Sequence, residues 1–554
     1  MHRKLPLILL LTAGVVTAAL TACGGSGTTT PDPAASSSSA AAPPSSNPPP
    51  TPTAQTDVPT YRDDAGRTGA NLTESVLTTA NVNSPSFGLL RILSVDGKVD
   101  AQPLYLSHLS IAGGTHDVVF VATEHDSVYA FDAQTGTTLW HESLLGSGES
   151  PSDDRGCYQV SPEIGVTSTP VIDRSAGPDG AIFLVAMSKD GSSNYYQRLH
   201  ALDITSGAEL FNGPTTINPT YSSSTGGQKT FSPGQYAERA ALLLANKTIY
   251  TGWTSHCDVQ PYSGWIVGFS ESSLAQTAAL NFAADSDAGP SVWMSGGGLA
   301  ADSTGSIYLI TANGAFEPTL DSAGFPQNGD YGNSFLRLSA AGGGLAVADY
   351  FAPFNEVAES AADEDLGSGG PMLLPDVTDS GGVVRHLMVG GGKDGNLYVI
   401  NRDDMGKFSA TANADWQELD GALPGAIYSS PAYFNGSVYY GDVGGSLKAF
   451  TVTSAKLSGL PASVTTTQFP YPGAAPAVSA NGTSNGIVWA VQNGNPAVLH
   501  AYDATDLTHE LYNSTQASSG RDNFGTGNKF ITPTIADGMV FVGTTNGVAV
   551  FGLR

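Results

Sequence analysis

The fold is decided by the stretch Val118-Val119-Phe120-Val121-Ala122-Thr123, continued by Ser127-Val128-Tyr129-Ala130-Phe131-Asp132, by Thr135-Gly136 and by Leu139-Trp140. β-Branched and aromatic residues fill these runs, and Gly, Asp or other polar residues separate them. Such runs are typical of short strands joined by tight turns. The stretch therefore predicts antiparallel strands that pair with their neighbours along the chain.

The same pattern returns along the chain. The clearest later copies are Leu387-Met388-Val389-Gly390 with Leu397-Tyr398-Val399-Ile400, Val438-Tyr439-Tyr440-Gly441 with Leu447-Lys448-Ala449-Phe450, and Val540-Phe541-Val542-Gly543 with Val548-Ala549-Val550-Phe551. A short strand precedes each copy, opened by a small residue and often by a proline, as in Ser168-Thr169-Pro170-Val171-Ile172 and Ile531-Thr532-Pro533-Thr534-Ile535. A repeated unit of this kind indicates one architecture for the whole body.

Eight copies can be counted, with a mean period of about 61 residues, which suits a four-stranded sheet with long loops. No sustained 3.6-residue apolar stripe lies between copies, so a parallel sheet with crossover helices is disfavoured. The sequence therefore predicts an all-β fold, an eight-bladed β-propeller of four-stranded antiparallel blades. The chain ends within the last strand pair, so we expect the ring to close by pairing with residues 89–99.

Composition limits the classes of function. The chain has 554 residues, a formal net charge of −27 and 66 glycines. The acidity argues against a nucleic-acid partner, because such a partner needs a basic surface. An apolar fraction of 40% is enough to build a core, and three cysteines are too few for a disulfide scaffold.

The N-terminus has the pattern of a processing signal. Arg3 and Lys4 precede an apolar run over residues 5–20, and Leu20-Thr21-Ala22-Cys23-Gly24 follows. Small residues ahead of a cysteine are typical of a bacterial lipoprotein signal, so residues 1–23 are predicted to be a signal ending at a lipidated Cys23. The alternative is an ordinary secretory signal with an incidental cysteine.

The segment after the signal is predicted to be a tether. Residues 24–57 are rich in Ser, Pro and Ala, a composition that favours extended, solvated backbone. The propeller would then occupy residues 58–554. Because the body is acidic and would repel anionic lipid, the acyl chain must hold it to the membrane. The predicted location is the bacterial cell envelope, at the outer membrane, on its periplasmic or its surface side.

A family resemblance rests on the repeat itself. A strand, a turn, Tyr129-Ala130-Phe131-Asp132, Thr135-Gly136 and Leu139-Trp140 in succession resemble the repeat of the quinoprotein alcohol dehydrogenase-like propellers, which have eight blades. Tyr61-Arg62-Asp63-Asp64-Ala65-Gly66-Arg67-Thr68-Gly69 resembles the opening of such chains. The repeat occurs in redox enzymes that bind pyrroloquinoline quinone (PQQ) and in a non-enzymatic lipoprotein of β-barrel assembly. Fold alone does not choose between them.

The resemblance implies a cofactor and calcium site. Trp293 lies near the position of the family's stacking tryptophan, and Asn313 ends a strand similar to the one that carries a calcium ligand. Asp258 lies near the family's calcium-binding carboxylate, with two extra loop residues. A core tryptophan, a turn asparagine and a solvated aspartate are the alternatives.

Two further segments would supply the chemistry. Lys393 begins the best local match to the family and would contact the quinone oxygens, unless it is an incidental turn residue. In the acidic loop Asp363-Glu364-Asp365, Asp363 or Asp365 would be the base, and Asp365 a further calcium ligand. The family has its base three residues before a second Asp. If Asp365 is that second Asp, the base position holds Ala362, and the loop is equally compatible with a solvated or calcium-binding role.

The cysteines depart from the family pattern. Cys157 is followed by Tyr158, where the family has two adjacent cysteines that form a disulfide. With Cys23 lipidated, Cys157 and Cys257 are the remaining pair, and export permits their oxidation. A disulfide between blades two and three is therefore predicted. The chain has no Cys-x-x-Cys-His heme motif, so electrons would need an external acceptor.

Two functional hypotheses follow. In the first, the anchored propeller binds a small-molecule ligand or a protein partner at its funnel or rim without turnover. In the second, the protein is a dehydrogenase of an alcohol or a sugar that depends on PQQ and calcium. The missing adjacent cysteines and the displaced aspartate favour the first hypothesis.

Overall fold

Eight antiparallel sheets follow one another along the chain in the computed structural model, which describes residues 56–223, 226–286, 289–340 and 344–554. The sheets are the blades of a β-propeller, numbered here from the N-terminus, and the predicted fold is confirmed. Each blade has a core of four strands, which follow sequence order in blades 1 to 7, as the repeat predicted. Blades 2, 3, 6 and 7 carry additional short strands.

The first four blades have these strands. Blade 1 contains Leu104–Ile111, Gly114–Ala122, Ser127–Asp132 and Thr138–Ser143. Blade 2 contains Val171–Asp173, Ala181–Asp190, Tyr195–Asp203 and Thr215–Thr216, with Glu149–Asp153 and Glu163–Ile164 added. Blade 3 contains Leu243–Ala245, Thr248–Ser255, Trp265–Ser270 and Gln276–Asn281, with Tyr236–Glu238 added. Blade 4 contains Ala300–Ala301, Ile307–Ile310, Phe335–Ser339 and Ala346–Phe351.

The last four blades follow the same plan. Blade 5 contains Met372–Leu373, Leu387–Gly390, Leu397–Asn401 and Gln417–Leu419. Blade 6 contains Ala432–Phe434, Ser437–Tyr440, Ser446–Thr453 and Ser463–Gln468, with Lys456–Leu457 added. Blade 7 contains Ala477–Asn481, Ser484–Gln492, Val498–Asp503 and Asp506–Asn513, with Ala70–Asn71 added in parallel. Blade 8 contains Thr534–Ala536, Met539–Gly543, Gly547–Leu553 and Phe87–Ser94.

Little else is regular. Two hairpins lie outside the blades, Thr220–Ser222 with Gln228–Thr230 and Val377–Thr378 with Val384–Arg385. The described α-helix is α1 (Glu356–Ala361), and the described 3-10 turns are His256–Asp258, Met294–Gly296, Leu366–Ser368 and Ser518–Gly520. No helix in the described part of the chain is both long and apolar enough to cross a bilayer.

The burial of the strands explains why the repeat can be recognised in the sequence. Met539–Gly543 is buried at every residue, and Gly547–Leu553 at every residue but the last. Strands enclosed on both faces by neighbouring sheets appear as nearly continuous apolar runs. These runs mark the two middle strands of each blade, the second and the third.

The ring closes through its two ends. Phe87–Ser94, from the start of the propeller, pairs antiparallel with Gly547–Leu553, from the end of the chain. The register joins Phe87 to Leu553 and Ser94 to Gly547. The predicted closure is confirmed, and it leaves blade 8 with strands from both ends.

Residues 56–73 form a segment that contacts the blades one after another and is called the axial segment below. Backbone or side-chain groups of this segment form hydrogen bonds with residues in, or next to, the first strand of every blade. The partners in blades 1 to 8 are Tyr105, Ile172, Leu242, Ala301, Leu373, Tyr433, Val478 and Ile535, at 2.8–3.0 Å. One stretch of chain therefore ties all eight inner strands together.

Two fully buried arginines belong to this segment. Arg67 donates to the carbonyl oxygen of Leu299 at 2.8 Å and to that of Leu242 at 3.0 Å, while Arg62 donates to the carbonyl oxygen of Pro431. Burial lowers the pKa of Arg67 to about 10. The guanidinium groups thus use main-chain oxygens of separate blades in place of carboxylates.

The propeller includes two residues that the sequence assigned to the tether. The backbone N–H of Thr56 donates to Ser107 at 3.2 Å, and Asp57 forms an ion pair with Arg174 at 2.7 Å. The predicted signal, lipidated Cys23 and most of the tether lie outside the described residues. Their assignment stays a prediction.

Candidate functional site

One polar cavity collects all six residues proposed for chemistry. Asp258, Asn313 and Lys393 each follow the second strand of a blade, whereas Trp293, Asp363 and Asp365 lie ahead of a first strand. These loops come from blades 3, 4 and 5 and meet around a cavity of about 140 Å³. The structure therefore brings together residues that lie up to 135 positions apart, from Asp258 to Lys393. Their chemical roles stay predictions.

Lys393 lies between two carboxylates. Its ammonium group is 2.5 Å from Asp365 Oδ2 and 3.0 Å from Asp363 Oδ2. Asn313 contacts the same pair: its backbone N–H donates to Asp365 at 2.9 Å and its side-chain amide donates to Asp363 at 3.0 Å. Lys393, Asp363, Asp365 and Asn313 form one network of charge-assisted hydrogen bonds. The amide oxygen of Asn313 accepts no hydrogen bond from the described residues.

The two carboxylates differ in environment. Asp365 is 5% exposed, and burial raises its pKa above the usual value even though Lys393 lowers it. Asp363 points to solvent, with 78% of its side chain exposed. For Lys393, burial opposes the charge, but Asp365 and Asp363 together keep its pKa above the usual value. Asp365 is therefore the desolvated acid of the pair, and its charge depends on Lys393.

Asp258 completes the polar wall. It is exposed, and Tyr262 donates its hydroxyl to Asp258 Oδ1 at 3.1 Å. Within the described ranges, no three His, Cys, Asp or Glu side chains come close enough to hold a metal ion. The predicted set of Asp258, Asn313 and Asp365 thus offers two carboxylates and one amide, and both oxygens of Asp365 are already engaged.

Trp293 separates the polar cavity from a larger apolar one. The second cavity has a volume of about 200 Å³ and shares Trp293 and Lys393 with the first. Tyr428 packs edge-on against Trp293, with ring centres 5.8 Å apart, and Lys393 Nζ lies 5.8 Å from the centre of the Trp293 ring. An aromatic surface thus lies next to the carboxylate–ammonium network.

Several cavity residues were missed in the sequence. Tyr428, Tyr471 and Phe530 form an aromatic cluster with ring centres 5.6–6.2 Å apart, and Arg239 lies over Phe530 at 4.9 Å. Arg239, Tyr428 and Phe530 each stand directly before the segment that opens a first strand. That register position, which Trp293 nearly shares, was the signal that could have identified them.

The predicted disulfide is present. Cys157 and Cys257 are bonded, with Cα atoms 5.4 Å apart, across a sequence separation of 100 residues. Cys157 lines the larger cavity, and Cys257 directly precedes Asp258. The bond therefore joins the cavity loops of blades 2 and 3.

Comparisons with known proteins support the fold. No protein-family model matches the chain, and no curated protein matches it. Solved structures do match. A quinohemoprotein alcohol dehydrogenase from Comamonas testosteroni has a TM-score of 0.57 and 14% identity, and the match covers 90% of this chain and 80% of that chain. One from Pseudomonas putida HK5 has a TM-score of 0.57, 13% identity and the same coverages.

A third similar structure is a europium-containing methanol dehydrogenase. Its TM-score is 0.54 at 13% identity, and the match covers 90% of this chain and 98% of that chain. At such identities the likeness establishes a shared propeller fold and nothing about activity.

Proposed function

We propose that the chain is an exported dehydrogenase that uses PQQ and a metal ion to oxidise an alcohol or a sugar. The observation that carries the proposal is the meeting of Asp258, Trp293, Asn313, Asp363, Asp365 and Lys393 at one cavity. Each of these residues was chosen from local sequence resemblance. Resemblance of separate segments does not by itself require that they converge.

The cavities suit the proposed cofactor. PQQ is a planar aromatic quinone that carries three carboxylates. Trp293 and Tyr428 offer aromatic surface, and Lys393 offers a cation at the border of the two cavities. Aromatic rings and an ammonium group are suited to a planar anion.

A metal ion has two oxygen donors available beside the network. They are the carboxylate of Asp258 and the amide oxygen of Asn313, both at the polar cavity. Hard cations prefer such oxygen ligands and take several, so the cofactor and water would complete the shell. Calcium is the expected ion, and a lanthanide is a second choice because one structurally similar enzyme contains europium.

The chain's own residues can accept the hydroxyl proton and stabilise developing negative charge. When bound, PQQ supplies a two-electron acceptor for the alcohol carbon. In this proposal Asp365, a desolvated carboxylate with a raised pKa, accepts the hydroxyl proton. Lys393 opposes the effect of burial and favours the ionised form of Asp365, and its positive charge would stabilise negative charge that develops at the cavity border.

A binding protein without turnover is the second candidate. It is favoured by the close pairing of Lys393 with both carboxylates, which leaves neither free. The absence of adjacent cysteines, with Tyr158 after Cys157, points the same way. In either case we propose a lipid anchor at Cys23 and a place in the cell envelope, with a small-molecule or protein partner at the funnel.

Reconstitution tests the two candidates. The purified protein is mixed with PQQ and calcium chloride, or with europium chloride, and binding is followed by the absorbance of the cofactor. Reduction of an artificial electron acceptor is then measured with a panel of alcohols and sugars. Turnover supports the dehydrogenase. Cofactor binding without turnover supports the second candidate, and no binding refutes the dehydrogenase.

A variant pair makes the test specific. Asp365→Asn should bind the cofactor but lose turnover by about 10²- to 10⁴-fold, since a general base is removed. Asp420→Asn, at an exposed position remote from the cavity, is the matched control and should keep full activity. Equal turnover in the two variants would remove Asp365 from the proposal.

A further inference from the structure

Two cations, Arg239 and Lys529, line the larger cavity. Arg239 is 7% exposed and lies with its guanidinium carbon 4.9 Å from the centre of the Phe530 ring. Lys529 is partly buried, and its ammonium nitrogen is 5.6 Å from the centre of the same ring. Within the described part of the chain, neither forms an ion pair. This is unexpected in a protein with 50 acidic and 23 basic residues.

The nearby carboxylates do not neutralise them. Asp100 is engaged by Lys98 at 2.9 Å. Glu238 is 8% exposed, burial raises its pKa well above the usual value, and its two oxygens accept no hydrogen bond from the described residues. Burial therefore disfavours the charged form of Glu238. Asp100 attracts both Arg239 and Lys529 but is ion-paired with Lys98, so three cations share this carboxylate and positive charge is in excess.

The charge of Lys529 is disfavoured in the absence of an anion. Burial, followed by repulsion from Arg239 and Lys98, lowers the pKa of Lys529 to about 8. A bound anion would reverse the repulsion and hold Lys529 in its charged form. The planar fork of Arg239 matches a carboxylate, which it can bind through two parallel hydrogen bonds.

The other lining residues indicate what kind of ligand the cavity can hold. Val185, Met187, Tyr428, Tyr471 and Phe530 form the apolar part of this lining, which also includes Asp154 and His256. We infer that Arg239 and Lys529 form an anion subsite, which binds a carboxylate carried by a planar, apolar ligand. The subsite shares the cavity of the proposed dehydrogenase but requires neither a metal ion nor turnover.

Binding of a simple aromatic acid tests the subsite. The protein is treated with EDTA and titrated calorimetrically with benzene-1,3,5-tricarboxylate and with the neutral benzene-1,3,5-tricarboxamide. The tricarboxylate should bind and the tricarboxamide should bind at least tenfold more weakly. No binding of the tricarboxylate, or equal affinities for both compounds, would overturn the inference.

Variants locate the binding. Lys529→Gln and Arg239→Gln should each weaken the tricarboxylate at least tenfold, and Arg239→Lys should recover part of the loss. Lys456→Gln is the matched control, because Lys456 also lies over an aromatic ring, that of Trp416 at 5.7 Å, on an outer strand. Should the buried Arg239→Gln fail to fold, Lys529→Gln decides. Wild-type affinity in Lys529→Gln would contradict the inference.

A competition experiment identifies the source of the carboxylate. If the cofactor supplies it, prior loading with PQQ abolishes tricarboxylate binding and Lys529→Gln weakens PQQ. If the substrate supplies it, the loaded protein still binds the tricarboxylate, and Lys529→Gln raises the KM of hydroxy acids but not of the matching alcohols. Both outcomes support the subsite. Absence of turnover would end the dehydrogenase proposal and leave the tricarboxylate result standing.

Discussion

Asp365 is the residue on which the proposed chemistry depends most. Its carboxylate is buried, accepts the backbone N–H of Asn313 at 2.9 Å and lies 2.5 Å from Lys393 Nζ. Burial favours its neutral form, whereas Lys393 favours the ionised form. The protonation of Asp365 therefore depends on the balance between burial and the attraction of Lys393.

The pH profile of activity should report this balance. Only ionised Asp365 can accept a proton, so kcat/KM should fall on acidification at a pH above about 4, the usual aspartate value. Lys393→Gln removes the cation that lowers this pKa, so the acid limb should move to higher pH, while Lys393→Arg should hold it near its original place. An acid limb that stays fixed in Lys393→Gln would contradict the assignment.

At this scale the sequence predicted part of the site. Trp293, Asn313 and Lys393 were found because the strands and turns that carry them resemble a known pattern. Arg239, Lys529 and Phe530 were not found, because only their register ahead of a first strand marks them. Whether a residue at that position faces the axis or a neighbouring blade depends on the packing of the ring.

Helix α1 supports the acidic loop from outside the cavity. Ser360 in this helix donates to the carbonyl oxygen of Gly314 at 3.1 Å, one residue beyond Asn313. Glu356 and Glu359 are buried, and burial raises their pKa values to about 7 and about 8. Above pH 4.5 the folded helix therefore retains protons on these carboxyls that an unfolded chain would release.

These protons predict a pH-dependent stability. Between pH 4.5, the ordinary glutamate value, and about pH 8, the folded protein holds more protons than the unfolded chain. The free energy of unfolding therefore falls as the pH rises through this window. Glu359→Gln, which stays neutral, should flatten the decline in the thermal midpoint, whereas Glu142→Gln at an exposed position should leave it unchanged. An equal slope in both variants would argue against buried, protonated carboxyls in α1.

The cross-link between blades 2 and 3 holds two cavity loops. Closing a loop of this length stabilises a folded protein by about 2–5 kcal/mol, mainly by restricting the unfolded chain. The double variant Cys157→Ser, Cys257→Ser should therefore unfold at a lower temperature and bind the cavity ligand more weakly. Dithiothreitol should lower the midpoint of the wild type in the same way and have no effect on the variant. A reductant-insensitive wild type would contradict the prediction.

Individual blades were predictable because each repeats the same apolar runs. The additional strands were not, since Glu149–Asp153 and Tyr236–Glu238 are polar or mixed and join the blades at the ends of long central strands. Such pairing depends on where a loop returns to the sheet, and no local period records it. The repeat pattern therefore predicted the eight-bladed architecture but not the number of strands in every blade.

Two features hold the whole ring together. One is the strand pairing between Phe87–Ser94 and Gly547–Leu553, which the sequence predicted from the incomplete last copy. The other is the axial segment, which the sequence did not reveal. Its bonds are made by backbone groups and by buried arginines, and neither leaves a periodic pattern.

Arg67 should be a stability determinant for the entire propeller. It joins carbonyl oxygens near the first strands of blades 3 and 4, at Leu242 and Leu299. Arg67→Met would leave these buried acceptors unpaired, at a cost of about 3 kcal/mol in the free energy of unfolding. Arg554→Gln, at an exposed arginine, serves as the control and should change stability by less than about 0.5 kcal/mol. Equal denaturation midpoints for the two variants would show that the axial segment does not hold the ring.

The most direct test of the account is a crystal structure of the protein saturated with PQQ and calcium. The account predicts electron density for the cofactor in the cavity beside Trp293 and Lys393, with the metal ion at Asp258 and Asn313. Density for the cofactor on another face, or an unchanged cavity in crystals of a protein that binds it in solution, would contradict the assignment of this site.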